Sequence, residues 1–286
     1  STLHGFGLRM CYKHYGKVVI SESKQFKFIK PIIDRARKEV EHQTYDSVRE
    51  KDLALKTFDK KKGRQQYLMI QLMNLFRMNL YVNLEDLKLV NSHYGIDAPD
   101  EVISWTAEAI GHMRKYNRVS TDTTFVVDFT DMIYLPATVD MDIDQYDYIF
   151  VDECQDLNMA QQTILQKMMK EKSRFIAVGD AQQAIYGFTG SDIESFDRLT
   201  QLPNTKQLPL SVCYRCSKAV VRHAQKINPI IQPYEHNIEG AVRMDGKIDD
   251  IESGDFVLCR NTSPLVELYF KLLSNGQKAF IKGRDI

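Results

Sequence analysis

Two short apolar runs constrain this chain more than any other feature. Tyr148-Ile149-Phe150-Val151 ends in Asp152-Glu153, and Phe175-Ile176-Ala177-Val178 ends in Gly179-Asp180. Between them Ala160, Ile164, Leu165, Met168 and Met169 recur at helical spacing. Strand, helix and strand in so short a span form a crossover unit, which joins parallel strands. A parallel sheet is normally covered on both faces. Ligands of such sheets bind beyond the carboxyl ends of the strands, where both acidic segments fall.

The flanking stretches differ. Residues 21–120 read as helical. Phe28, Ile32, Ile33, Ala36 and Val40 mark one helix, Tyr67 to Val82 gives a second, and Asp100 to Met113 a third. Asp59-Lys60-Lys61-Lys62-Gly63-Arg64 reads as a solvated turn. From about residue 211 the pattern predicts a helix capped by Ser217, then a strand at Phe256-Val257-Leu258. A helix opened by Ser263-Pro264 and stopped by Gly276 follows, then a strand at Ala279-Phe280-Ile281. That is the start of a second α/β domain, and 286 residues suffice for about two domains.

A hydrophobic fraction of 43% excludes a disordered or low-complexity chain. No apolar run approaches the roughly 18 residues that cross a bilayer, and no secretory signal opens the chain, so no membrane partner is expected. Lys and Arg number 38 and Asp and Glu 38, which excludes a globally basic nucleic-acid coat protein. The charges are segregated, however. Residues 1–70 are rich in Lys and Arg. Residues 131–160 hold none, yet carry Asp131, Asp140, Asp142, Asp144, Asp147, Asp152, Glu153 and Asp156. Such a cluster repels phosphate unless a divalent cation sits in it. Five scattered cysteines fit a reducing, cytoplasmic compartment. Cys213 and Cys216 form a lone CxxC, too few ligands for a tetrahedral zinc site, and read as ordinary thiols leading into a helix.

The strand ends carry the chemistry. Asp152 can bind Mg²⁺, directly or through its waters, while Glu153 orients and deprotonates an attacking water. A bare Asp-Glu pair is more often an idle, solvated strand end. The segment Gly179 to Ser191 changes that weighting, because it combines glycines, two amides and two aromatics after the next strand. Amides sense a γ-phosphate, and exposed aromatics stack nucleobases at about 1–3 kcal/mol each.

Together these segments resemble the UvrD/Rep-like superfamily 1 helicases. Asp152-Glu153-Cys154-Gln155-Asp156 matches the family's DExQD Walker B motif. Gly179 to Ser191 is similar to motif III, usually GDxxQSIYxWRGA, and Leu210 to Ser217 to motif IV, usually LxxNYRS. Thr2-Leu3-His4-Gly5-Phe6 resembles motif Ib, and Val127-Asp128-Phe129-Thr130-Asp131-Met132 the DFxDL segment before Walker B. The resemblance implies an α/β fold: a RecA-like P-loop NTPase domain 1A (residues 1–20 and 121–210) with a parallel sheet. It also implies a large helical insertion 1B (21–120) and the start of a second RecA-like domain 2A (211–286).

By the same resemblance the cofactors are ATP and Mg²⁺. Asp152 holds the metal, Glu153 is the catalytic base, and Gln183 couples the γ-phosphate to the DNA site. Arg215 contacts the γ-phosphate and Tyr214 stacks on the adenine. Phe188, in the usual tryptophan position, stacks a DNA base with Tyr186 beside it. Thr2 and His4 line the strand's backbone, and Arg260, at a strand end of the second domain, contacts phosphate. The implied partners are single-stranded DNA and its junctions with duplex, with 3′ to 5′ movement. Thr189, Cys213 and Ala184 depart from the family's arginine, asparagine and serine.

No GxxxxGK[ST] loop occurs in these residues. The chain therefore reads as an interior slice, and residues 1–286 alone are expected to show no ATPase activity, since that loop supplies most of the phosphate grip. Starting at Ser1 without Met fits a processed or cut piece. Two rival readings stay open: a non-enzymatic DNA- or partner-binding fragment, and the helicase part of an AddA/RecB-like helicase–nuclease.

Overall fold

The computed structural model describes residues 2–119, 124–183 and 195–282. The chain divides into two compact units, Ser1–Lys206 and Gln207–Ile286.

Helix α1 (Leu3–Tyr15) opens the first unit. The Thr2 hydroxyl caps it by accepting the Gly5 N–H at 3.2 Å, and Gly16 at φ 74° ends it. Strand β1 (Val18–Ile20) follows. The chain then leaves for four helices: α2 (Phe26–His42), α3 (Val48–Met78), α4 (Asp86–His93) and α5 (Asp100–Val119). It returns in β2 (Phe125–Val127), parallel to β1 with Val19 opposite Val126. Helix α6 (Asp131–Thr138) crosses α1 at Gly7, where a Cβ would run into the Met132 carbonyl. Only glycine allows so close a crossing.

The four helices bury one apolar cluster. Ile29, Ile32 and Ile33 of α2 meet Met69, Leu72 and Phe76 of α3, with Val102 and Ile110 of α5. Each such side chain contributes about 1.5–3 kcal/mol when fully buried.

The lysine-rich run 59–64, expected as a turn, lies inside α3. Gly63 in a helix interior costs about 1 kcal/mol. Tertiary pairing offsets it: Asp59 accepts from Arg37 at 2.9 and 3.1 Å, and Lys62 reaches Asp34 at 3.5 Å. Helix α5 likewise runs past Met113 to Val119.

Strand β3 (Tyr146–Val151), helix α7 (Met159–Lys167) and strand β4 (Met169–Ala177) form the expected crossover. The strands are parallel, with Ile149 opposite Phe175 and Val151 opposite Ala177. Asn158 and Gln161 exchange capping hydrogen bonds at 2.9 Å each at the start of α7. Ile149, Cys154, Leu157 and Leu165 pack with Leu199 from α8 (Ser195–Thr200).

The opposite face departs from expectation. Tyr148, Phe150, Ile176 and Val178 are exposed, so the described residues cover the strand pair on one face only. Among those residues β1–β2 and β3–β4 are also separate pairs rather than one sheet.

The second unit, taken by itself, pairs β5 (Val212–Cys213) in parallel with β6 (Gln232–Pro233) around α9 (Lys218–Ala224), and α10 (Thr262–Ser274) follows. Ser217 is the N-cap residue of α9, while α10 starts one residue before Ser263, after Asn261. Gly276 at φ 74° follows its end. The strands expected at 256–258 and 279–281 do not form. Phe256, Leu258 and Phe280 are each more than 80% exposed, and no neighbouring backbone completes a ladder with them. Among the described residues no helix is long and apolar enough to cross a membrane.

Candidate active site

Half of the acids in the run 131–160 are taken up by ion pairs. Lys13 pairs with Asp142 and Asp144 at 2.7 and 3.0 Å, and Lys170 with Asp147 at 2.9 Å. Asp131 is fully buried and paired. Asp152, Glu153 and Asp156 remain at the carboxyl end of β3.

There the backbone turns sharply. Glu153 adopts φ 51° and ψ 45°, the left-handed region, at a cost of order 1 kcal/mol or more for a residue with a Cβ. Its N–H donates to Asp152 Oδ1 at 3.1 Å, and both acidic side chains are exposed. A 3₁₀ turn (Cys154–Asp156) follows. The ladder continues past the strands, with Val178 N–H on the Val151 carbonyl at 2.8 Å and Cys154 N–H on the Val178 carbonyl at 3.0 Å.

Gln155 joins the two strand ends. It is only 3% exposed. Its Nε2 donates to Glu153 Oε2 at 2.7 Å, and its Oε1 accepts the Asp180 N–H at 3.0 Å. Asp180 Oδ2 in turn accepts from Gln183 Nε2 at 2.8 Å, and Oδ1 accepts the Gln182 N–H at 3.0 Å. A hydrogen-bonded line therefore runs from Glu153 through Gln155 and Asp180 to Gln183. Two of its members, Gln155 and Asp180, carry no role in the sequence reading. Their signal is the amide two residues after Glu153 and the acid directly after Gly179.

Gly179 makes the junction possible. A Cβ there would collide with Gln155 Oε1 and lie 2.7 Å from Cys154 Sγ. Gly179→Ala is expected to cost about 1–3 kcal/mol through overpacking. Gly63→Ala, with open space around it, serves as the control and is expected not to destabilise. Urea denaturation of both variants checks this.

Asp156 Oδ1 is buried and has no hydrogen-bond partner among the described residues. Burial raises the pKa of Asp156, and the Glu153 charge adds to the rise. Among the described residues no three metal-ligating side chains form a ready-made cage.

A second polar cluster, missed by the sequence reading, lies where the helices meet β2. Arg77 is 1% exposed and donates to Asp128 at 3.0 and 2.9 Å and to Asp131 at 2.9 Å. Lys24 donates to Asp131 at 2.5 Å and to Asn117 at 3.0 Å. Gln25, Asn74 and Thr130 complete the network. Burial alone would raise the Asp128 carboxyl, but the Arg77 guanidinium overcomes it and holds it below the ordinary carboxylate range. An arginine inside the apolar face of α3 was the available signal.

The other expected site residues are distributed as follows. Thr2 uses its hydroxyl as the α1 cap. His4 is half-buried on α1 and meets Phe129 edge-on, with ring centres 6.4 Å apart. Burial lowers its pKa from the ordinary 6.5, so the ring is neutral at pH 7. Phe129 itself, 51% exposed between Asp128 and Thr130, was not singled out from sequence. Tyr186 and Phe188 lie outside the described residues. Tyr214 and Arg215 are exposed beyond β5 in the second unit, where Tyr214 packs on Tyr234 with ring centres 4.6 Å apart. Arg260 is exposed, but no strand precedes it, so its expected place at a strand end is corrected.

Residues 1–204 match the UvrD/REP helicase N-terminal domain. The chain is 31% identical to the ATP-dependent DNA helicase Rep of Buchnera aphidicola subsp. Baizongia pistaciae over 111 residues, 36% of this chain and 17% of that protein. It is 27% identical to the ATP-dependent DNA helicase PcrA of Staphylococcus epidermidis over 140 residues, 46% of this chain and 19% of that one. The PcrA of Staphylococcus aureus is 26% identical over 142 residues, with the same coverage. The chain thus spans less than a fifth of the relatives it matches. The matched residues take in both strand pairs of the first unit, the helical bundle and the acidic end of β3, and by that match the chain belongs to the UvrD/REP helicase N-terminal domain family.

Proposed function

We propose that this chain is part of an ATP-dependent DNA helicase that tracks 3′ to 5′ along single-stranded DNA and opens duplex at its junctions. On this reading residues 1–20 and 121–210 belong to a RecA-like domain 1A, 21–120 to a helical insertion 1B, and 211–286 to the start of domain 2A. The observation that carries it is the line of hydrogen bonds from Glu153 through Gln155 and Asp180 to Gln183. It connects an exposed acid at one strand end with an exposed amide at the next. A displacement of Gln183 by a phosphate is thereby transmitted to the group that takes a proton from water.

Glu153 is the general base, its Oε2 oriented by the buried Gln155 amide. Mg²⁺ suits the donor set, because it binds through one or two carboxylates and keeps its remaining waters. Asp152 is the exposed carboxylate that would hold it. The ion neutralises phosphate charge when bound. In the first unit Gln183 is the proposed γ-phosphate sensor; in the second, taken by itself, Arg215 is proposed for phosphate and Tyr214 for adenine. Thr2, His4, Tyr186, Phe188 and Arg260 are the residues that the family resemblance assigns to DNA. The neutral His4 ring, paired with exposed Phe129, offers an aromatic surface rather than a cation.

Phe188→Ala tests the DNA side. Single-stranded DNA affinity is expected to fall by about 1–3 kcal/mol with little sequence preference. A buried Phe would instead cost roughly 3–5 kcal/mol of stability on truncation. Fluorescence anisotropy and thermal melting, run together, separate the two. Unchanged affinity with a collapsed melting temperature removes stacking from the reading.

A further inference from the structure

Cys213 and Cys216 bracket Tyr214 and Arg215 in the turn that leaves β5. A single amide holds both ends of that turn. Asn237 Nδ2 donates to the Cys213 carbonyl at 2.9 Å and to the Cys216 carbonyl at 2.7 Å. The Tyr234 N–H reaches the Cys213 carbonyl at 3.2 Å, and Cys213 is fixed further by pairing with Pro233. Because one nitrogen holds both carbonyls, the two backbones lie close together, as a disulfide requires, which spans about 4.4–6.8 Å between Cα atoms.

The two thiols have unlike surroundings. The neighbours of the Cys213 sulfur that favour its charged form are the backbone of Cys216 and of Arg215, with the Cys216 thiol and the Arg215 charge adding to them. They set Cys213 below the ordinary thiol range. Burial first, and then the neighbouring Cys213, raises Cys216. Such an asymmetry suits an attacking thiolate and a resolving thiol. Both residues are partly accessible. Cys11 and Cys154 are buried, which pushes Cys11 up to about 12 and raises Cys154 as well. Cys259 is exposed, but no other cysteine lies near it in sequence.

We propose that Cys213 and Cys216 form a thiol–disulfide exchange site for low-molecular-weight disulfides of the glutathione class. The Cys213 thiolate attacks one sulfur of the small disulfide, breaks its S–S bond and releases one thiolate. Cys216 then gives its proton to solvent and attacks the Cys213 sulfur, releasing the second. The protein is oxidised by two electrons and the small disulfide is reduced to two thiols. The new bridge closes over Tyr214 and Arg215. That this holds nucleotide-facing groups rests on the helicase reading; the exchange chemistry does not, so a failed ATP or DNA assay leaves the test below untouched.

The test is intact-mass analysis and peptide mapping of residues 1–286 after exposure to oxidised glutathione. The expected product has lost about 2 Da, with Cys213 and Cys216 joined, and dithiothreitol reverses it. Cys216→Ser should stop at a stable glutathione adduct on Cys213. Cys213→Ser should form no bridge and react at Cys216 at least about tenfold more slowly. A wild-type chain that keeps its mass, or carries an adduct on Cys259 alone, overturns the proposal. So does Cys213→Ser reacting at the wild-type rate. Reading the wild-type product needs no variant, so a misfolded substitution cannot mask the result.

Discussion

Glu153→Gln in the full-length protein is expected to retain ATP binding while DNA-stimulated hydrolysis falls about 10²–10⁴-fold. The amide can still hold a water molecule but cannot take its proton. Gln155 can also still donate to the new side-chain oxygen, because that bond runs from its Nε2 to Oε2 of residue 153. The left-handed backbone at 153 is unchanged by an isosteric substitution, so the strand end should keep its shape. Nucleotide affinity and turnover, measured on one preparation, check this. Near-normal turnover would assign the base to another residue.

Arg77→Met is expected to destabilise the first unit by about 3–5 kcal/mol. The substitution keeps much of the side-chain volume but leaves Asp128 and Asp131 buried with only Lys24 to balance them. An uncompensated buried charge costs far more than the ion pair contributes when intact. Asp128 has a depressed pKa in the folded chain, so its contribution is present above the unfolded value of about 4 and is lost as pH falls below that. Urea denaturation at neutral pH checks the first claim. The same measurement at pH 3 to 4 should show a smaller difference between wild type and variant. A loss under about 1 kcal/mol at neutral pH would mean that water reaches the carboxylates.

The network explains how the helical bundle is fastened. Lys24 and Gln25 enter just before α2 and Arg77 lies near the end of α3, whereas Asp128 directly follows β2 and Asp131 opens α6. Arg77 bonds both aspartates, Lys24 bonds Asp131 and Gln25 bonds Asp128, although 51 to 107 residues separate the paired charges. No local pattern reveals this. In sequence Asp128 and Asp131 stand in a short motif-like segment, and Arg77 is one charged residue inside an apolar helix face, with nothing to say that they pair.

Local periodicity determined α2, the second half of α3, α5 and the β3–α7–β4 crossover, because apolar spacing at 3.6 or 2 residues follows directly from how side chains leave a helix or a strand. It determined also that Asp152 and Glu153 end one strand and Gly179 and Asp180 extend beyond the next. The tertiary structure decided what pairs with what. Asp59–Arg64 became helix because Arg37 and Asp34 on α2 wait for it. Residues 256–258 and 279–281 stayed out of any strand because a strand exists only with a partner's backbone beside it. Asp142, Asp144 and Asp147 became surface ion pairs rather than a metal site because Lys13 and Lys170 come to them from elements far along the chain. And Gln155, one amide among many in the sequence, became the joint between two strand ends, because only a parallel register brings Glu153 and Asp180 to opposite sides of its side chain.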